Sequence, residues 1–191
     1  MREFTNNRLE RIRYVASMRQ PDLRVVLENL HNPHNINAVL RTAEAVGVQF
    51  VHIIASKPFS VHPKISQGAH KWLTLIFHKT LADCYGMLER EGFSIYATAL
   101  CDDAVHFRNV DYTAKTAIVF GNEHDGLSGE AIRCAHKVIK VPIYGMVQSL
   151  NVSVSCAVVL YEAERQRSAC GMYPSKVPKF GKELEAQWLN R

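Results

Sequence analysis

Apolar and polar positions follow two rhythms along this chain. Short unbroken apolar runs recur at 23–30 (LRVVLENL), 48–55 (VQFVHIIA), 73–78 (LTLIFH), 94–100 (SIYATAL), 116–121 (TAIVFG) and 137–143 (KVIKVPI). Runs this short, with no polar face, predict strands buried on both sides. Between them lie stretches with helical spacing and capping signals. Residues 6–19 predict a helix opened by Asn6 or Asn7 and stopped before Gln20-Pro21. Residues 35–46 predict a second, with Asn35 at the N-cap and Gly47 just past the end. Thr80 caps a third that ends at 91 before Gly92, and Ser128 caps a short one to about His136. Residues 151–166 predict a long helix whose apolar face is Val152, Val154, Ala157, Val158, Leu160 and Tyr161. The stretch 56–70, broken by Pro58, Pro63 and Gly68, predicts a loop with a short helix.

Strands alternating with helices at this spacing predict an α/β fold, with a mostly parallel sheet and helices on both faces. A chain of 191 residues suits one core. The expected organisation is a helical extension (1–20), a main domain (21–170) and a basic tail (171–191). No run approaches the ~20 apolar residues of a membrane span, and MREFTNNRLERIRYVASMRQ lacks the apolar segment of a secretory signal. Cys84, Cys101, Cys134, Cys156 and Cys170 are dispersed and never form a CxxC pair. That pattern argues for a reducing cytoplasm and against a disulfide framework or zinc site. His31 and His34 lack further metal-ligating neighbours, so no metal is expected.

The net charge of +5 is concentrated at the ends. Arg2, Arg8, Arg11, Arg13, Arg19 and Arg24 oppose Glu3, Glu10 and Asp22; Lys176, Lys179, Lys182 and Arg191 oppose Glu183 and Glu185. Such ends suit phosphate contact, and a solvated helix face explains them equally well.

Three polar clusters carry candidate chemistry: NPHNINAVLRTAEAVG (32–47), IVFGNEHDGLSGE (118–130) and VPIYGMVQSLNVSVS (141–155). Each joins an apolar run to a helical pattern, where open α/β sheets build ligand sites. Arg41 sits in an apolar helix, either pinned by Glu44 or Glu28 or facing an anionic ligand. Glu123 is either a surface charge or a ligand group in a glycine-flanked loop. Capping explains one of Ser149 and Asn151 but not the apolar loop Gly145-Met146-Val147, which suits a flat apolar ligand group. Neither GxGxxG nor a Walker loop is present, which argues against a nicotinamide dehydrogenase.

In order and spacing, NPHNINAVLRTAEAVG, FGNEHDGLS and VPIYGMVQSLNVSVS resemble the three signature motifs of the SpoU (TrmH-type) RNA ribose 2′-O-methyltransferases of the SPOUT superfamily, over roughly residues 5–170. The arginine-rich start, RQPDLRVVLENLHNPHN and YEAERQRSACGMY are most similar to members that act on guanosine-18 of tRNA. Asn37 and Ser155-Cys156 depart from the usual pattern. The resemblance implies a Rossmann-like parallel sheet with a deep C-terminal trefoil knot. It also implies an obligate homodimer with its active site at the subunit interface, and S-adenosylmethionine-dependent 2′-O-methylation of a tRNA ribose. By resemblance Arg41 is the central catalytic residue, surrounded by Asn35, Glu123, Ser149 and Asn151. Thr98, Leu100, Gly121, Val141, Ile143, Ser149 and Leu150 would hold the cofactor; Arg8, Arg11, Arg19, Lys176 and Lys179 would meet tRNA phosphates. The alternatives are a wobble-position or ribosomal RNA substrate, and a non-catalytic RNA-binding module, which the intact Asn35, Arg41, Glu123 and Asn151 oppose.

Overall fold

Leu23, Val25, Val26 and Leu27 are all fully buried, so the strand that carries them lies between two layers. The computed structural model describes residues 5–55 and 68–190. Among them seven strands form one sheet: β1 (Gln20–Glu28), β2 (Val48–Ile54), β3 (Thr74–His78), β4 (Ser94–Thr98), β5 (Val105–His106), β6 (Thr116–Phe120) and β7 (Lys137–Lys140). All pairings are parallel, in the order β3-β2-β1-β6-β4-β7-β5. The helices are α1 (Asn6–Ser17), α2 (Pro33–Ala45), α3 (Leu81–Arg90), α4 (Gly129–Arg133), α5 (Val152–Ala169) and α6 (Pro178–Leu189). Most of the stretch expected to be a loop with a short helix, residues 56–67, lies outside the described residues. A 3-10 turn follows at Ala69–Trp72.

The two-residue strand period divides the core. Val25, Leu27, Ile118 and Phe120 meet Ile36, Leu40, Val159 and Leu160 of α2 and α5 on one face. Val26, Ala117 and Val119 meet Cys84, Leu88 and Ala131 of α3 and α4 on the other. The expected α/β layering is therefore present.

The structure differs from the pattern-based expectation in four main respects. First, α2 is capped by Asn32, whose side chain accepts from the His34 N–H at 2.9 Å, with Pro33 in the first turn; Asn35 lies inside the helix. Pro33 supplies a preset φ and lacks the donor that would go unused there. Second, β7 stops at Lys140 and α4 at Arg133; Pro142 has no N–H with which to continue a ladder. Third, α5 buries Cys156, Val159, Leu160, Ala163 and Arg167, a helical stripe. Val154 and Tyr161, expected in the core, are 47% and 54% exposed, because a second apolar stripe on this helix faces outward. Fourth, the basic tail contains a helix. Ile12 and Ala16 of α1 pack with Leu184 and Trp188 of α6. Gly181 lets the helices meet closely: a Cβ there would stand 3.2 Å from the Ala16 carbonyl oxygen. The two ends of the described chain thus form one layer.

Candidate active site

Gly121, at the end of β6, opens a loop that folds back on itself. A Cβ at Gly121 would lie 2.2 Å from Gly126 backbone, so only glycine fits. Asn122 and Gly126 exchange backbone hydrogen bonds of 3.0 and 3.2 Å. The Asn122 carboxamide oxygen accepts from the His124 and Asp125 N–H groups, both at 2.7 Å. Gly126 takes a φ of +70°, a left-handed turn that glycine adopts without penalty. This compact loop holds Glu123 out from the sheet.

Glu123 meets the other two clusters through a directional chain of hydrogen bonds. The Ser153 N–H and hydroxyl donate to Asn151 Oδ1 at 2.8 and 2.6 Å. Asn151 Nδ2 donates to Asn35 Oδ1 at 3.1 Å, and Asn35 Nδ2 donates to Glu123 Oε1 at 2.7 Å. Asn151 therefore caps α5 and reaches α2 with opposite ends of one amide. Asn35 is 8% exposed, so its alignment is protected from solvent.

Beside this relay, at the ends of β4, β6 and β7, is a cavity of about 380 Å³. Thr98 and Leu100 follow β4, Gly121 follows β6, Val141 and Ile143 follow β7, and Ser149 and Leu150 precede α5; all seven expected cofactor contacts line it, as does Glu123. The Thr98 hydroxyl donates to the Val119 carbonyl at 2.8 Å, which ties the end of β4 to β6. Lys140 Nζ donates to the Cys101 carbonyl at 3.1 Å and ties down the rim. Tyr144, Met146 and Val147 point outward instead, at 93%, 102% and 60% exposure, and do not line the cavity.

Arg41 lies outside both the relay and the cavity lining. It is exposed and falls about 9 Å along α2 from Asn35 and about 120° around it. Neither expected structural partner holds it. Glu44 pairs with Arg19 at 2.7 Å, and Glu28 accepts from Ser128. Among the described residues no ion pair to Arg41 forms.

Of the expected phosphate contacts, Arg8 and Arg11 are exposed on α1, and Lys176 and Lys179 are exposed on or beside α6. Arg19 is a correction. It is fully buried, pairs with Glu44, donates to the Val48 carbonyl at 2.8 Å and lies 5.3 Å from the Trp188 ring. Burial lowers its pKa while Glu44 opposes that. Its guanidinium fastens α2 to the terminal layer and cannot reach a phosphate.

One largely buried grouping, with His78 half-exposed, had no signal in the sequence. His52, His78 and Cys84 bring three ligand atoms within 4.8 Å of one another, although the residues are separated in the chain. Arg24 Nη1 stands 3.4 Å from His52 Nε2. A guanidinium only donates, so His52 Nε2 accepts and its Nδ1–H donates to His78 Nε2 at 2.8 Å. That tautomer turns a proton, not a lone pair, toward the centre of the group. Burial, then Arg24 and His78, push the His52 pKa down to about 3.

Comparisons with known proteins converge on one family. A profile described as the SpoU rRNA Methylase family matches residues 22–161. A tRNA (guanosine(18)-2′-O)-methyltransferase of Thermus thermophilus is 47% identical, with both chains covered in full. An enzyme of the same name from Escherichia coli is 44% identical over 87% of this chain and 73% of its own. The crystal structure titled A. aeolicus TrmH/SpoU tRNA modifying enzyme superposes with a TM-score of 0.86 at 40% identity, covering 95% of this chain and 96% of that one.

Proposed function

This chain belongs to the SpoU rRNA methylase family, and from that premise we propose that it methylates the ribose 2′-hydroxyl of guanosine-18 in tRNA, using S-adenosylmethionine. The observation that carries the reading is the relay of Asn35, Glu123 and Asn151 at the edge of the 380 Å³ cavity. Three segments remote in sequence are joined there by polar groups whose alignment the fold alone does not require. The relatives named for guanosine-18 support the substrate.

The cavity fits the donor. Its volume is within the range of small-molecule sites, and Leu100, Val141, Ile143 and Leu150 offer apolar walls for a purine. When bound, S-adenosylmethionine supplies an activated methyl group on a sulfonium. The protein's work is then placement and charge stabilisation. In-line alignment accounts for ~7–11 kcal/mol of barrier lowering. A guanidinium donates and does not accept, so the role of Arg41 is to hold the ribose and stabilise charge developing on the 2′-oxygen. The relay keeps one Glu123 oxygen occupied by Asn35 and fixes where the other points. Arg8, Arg11, Lys176 and Lys179 engage tRNA phosphates, as salt-dependent contacts.

The active form is a homodimer with the site at the two-fold interface. Tyr144, Met146, Val147, Val154 and Tyr161 form exposed apolar surface of the kind a partner covers, and a second subunit brings Arg41, isolated in one chain, to a composite site. A trefoil knot is the matching topology: β7 is inserted between β4 and β5, so the chain leaving β7 meets the 99–104 connection. The enzyme works in the cytoplasm, where tRNA is.

Incubation with labelled S-adenosylmethionine and unmodified tRNA transcript, then nucleoside analysis, tests the reading. The expected product is 2′-O-methylguanosine at position 18; label elsewhere, or none, refutes it. Arg41→Ala and Arg41→Lys should both abolish turnover while keeping donor affinity, because lysine lacks the planar fork.

A further inference from the structure

We propose that Glu28 is a positioning residue for this site, acting through Ser128 to hold the loop that presents Glu123 and walls the cavity; the inference rests on the methyltransferase reading. Glu28 is the last residue of β1 and only 5% exposed. Its two carboxylate oxygens take both donors of one serine: Ser128 N–H at 2.8 Å and Ser128 Oγ–H at 2.6 Å. Among the described residues no cation pairs with it; Arg24, on the same strand, is engaged by Glu91 at 2.6 Å.

An unpaired carboxylate in this setting is costly to bury, and a neutral residue would serve packing better. Its geometry shows what it is matched to. Glu28 stands at the root of the segment that leads to Asn35, because Asn29 takes a φ of +51° and turns the chain out of β1 toward α2. Ser128 stands at the exit of the loop that begins at Gly121 and carries Glu123. Two ties therefore join the same pair of segments, Glu28–Ser128 at their roots and Asn35–Glu123 at their tips. With only the tip tie, the loop is held at its β6 end and by one part-buried contact. With both, Glu123 and the cavity wall at Gly121 and Leu127 are fixed before any ligand arrives, and ordering them costs nothing at the moment of binding.

A carboxylate suits both donors best. A glutamine at 28 keeps its oxygen for one serine donor but sets its NH₂ against the other, and Ser128 Oγ meets that NH₂ only by rotating its proton away, so the short charge-assisted O–H···O⁻ bond is exchanged for a weaker neutral one. The test is Glu28→Gln in the full-length protein, read in two ways. Amide hydrogen exchange should accelerate at residues 121–128 while β1 and β6 remain protected; this readout needs no catalysis and stands even if the substrate assignment fails. Methyl transfer to tRNA should fall in kcat/KM by tenfold or more in the wild-type background, and by less than threefold in a Glu123→Ala background, where the positioned group is already absent. Ser128→Thr keeps both donors and should match the parent in exchange and activity. Equal activity losses in the two backgrounds, or unchanged exchange at 121–128, would overturn the inference. Global unfolding of Glu28→Gln, seen as uniform loss of protection, would also overturn it by making Glu28 a stability residue.

Discussion

Replacing Asn35 by aspartate tests the relay most sharply, because it changes one donor into an acceptor and little else. The new carboxylate still accepts from Asn151 Nδ2 but now faces Glu123 Oε1 across the 2.7 Å that separates the present partners. Two unit charges at that distance repel by about 1.5 kcal/mol at the dielectric constant of water and about 6 kcal/mol at an effective value of 20. The repulsion therefore holds the pair's shared proton above the ordinary carboxylate range, by less because Glu123 is exposed. Below the pair's titration it shares a proton and the link is rebuilt as O–H···O⁻. Above it, both groups are charged and the link opens.

The sign follows for activity and stability alike. A carboxyl group whose folded pKa is raised destabilises the fold once it ionises, so the variant's stability relative to the parent falls as pH rises through and above the ordinary carboxylate range. The assay is methyl transfer at saturating substrate from pH 5 to 9, plotted as the ratio of variant to parent, with melting temperatures over the same range. Both should decline together as pH rises. A ratio independent of pH, at whatever level, would show that Asn35 and Glu123 are not coupled in the working enzyme.

Four further outcomes are expected. Arg167→Met removes a fully buried guanidinium that donates to the Tyr112, Asp22 and Ala114 carbonyls and to the Gln20 and Asp22 side chains; it should cost about 3–5 kcal/mol in urea unfolding, and a loss below 1 kcal/mol would refute that role. Arg11→Ala and Lys179→Ala should each lower the slope of log affinity for tRNA against log salt by about one. Arg19→Ala should lower the melting temperature and leave that slope unchanged, in filter binding across a salt series. His52, held at about 3 by burial, Arg24 and His78, should stay neutral in NMR titrations above pH 5. Its folded pKa lies below the unfolded value of 6.5, so its contribution to stability is complete above 6.5 and is lost as pH falls toward 3.

The sequence made the sheet legible because buried parallel strands write themselves as apolar runs, and β2 and β6 were read nearly to their ends, whereas β1, expected at 23–30, runs Gln20–Glu28 because the chain leaves it at Asn29. It misled where one residue type serves two purposes. Asn35 has the chemistry of an N-cap, but Asn32-Pro33 supplies a better one, and only the fold shows Asn35 turned toward Glu123. Arg19 counts as a surface cation in any charge tally, yet it is fully buried against Glu44 and Trp188. Gly121, Val141, Ile143, Ser149 and Leu150 were legible through the family motifs, which mark strand ends, whereas Thr98 and Leu100, outside those motifs, came only from the site that the resemblance implies. Glu28 and Ser128, 100 residues apart, gave no local signal, since each resembles an ordinary strand or cap residue. Strand order also lies beyond periodicity, which says which residues are buried and nothing about which strands are neighbours.

The pairing of α1 with α6 has a consequence during protein synthesis. The ribosome makes α1 before the sheet and α6 after it, so a nascent chain carries Arg11 without the helix that packs against α1 and lacks Lys179 altogether. The layer that carries both is complete only when translation has passed Trp188, whose ring joins one apolar cluster with Ala16.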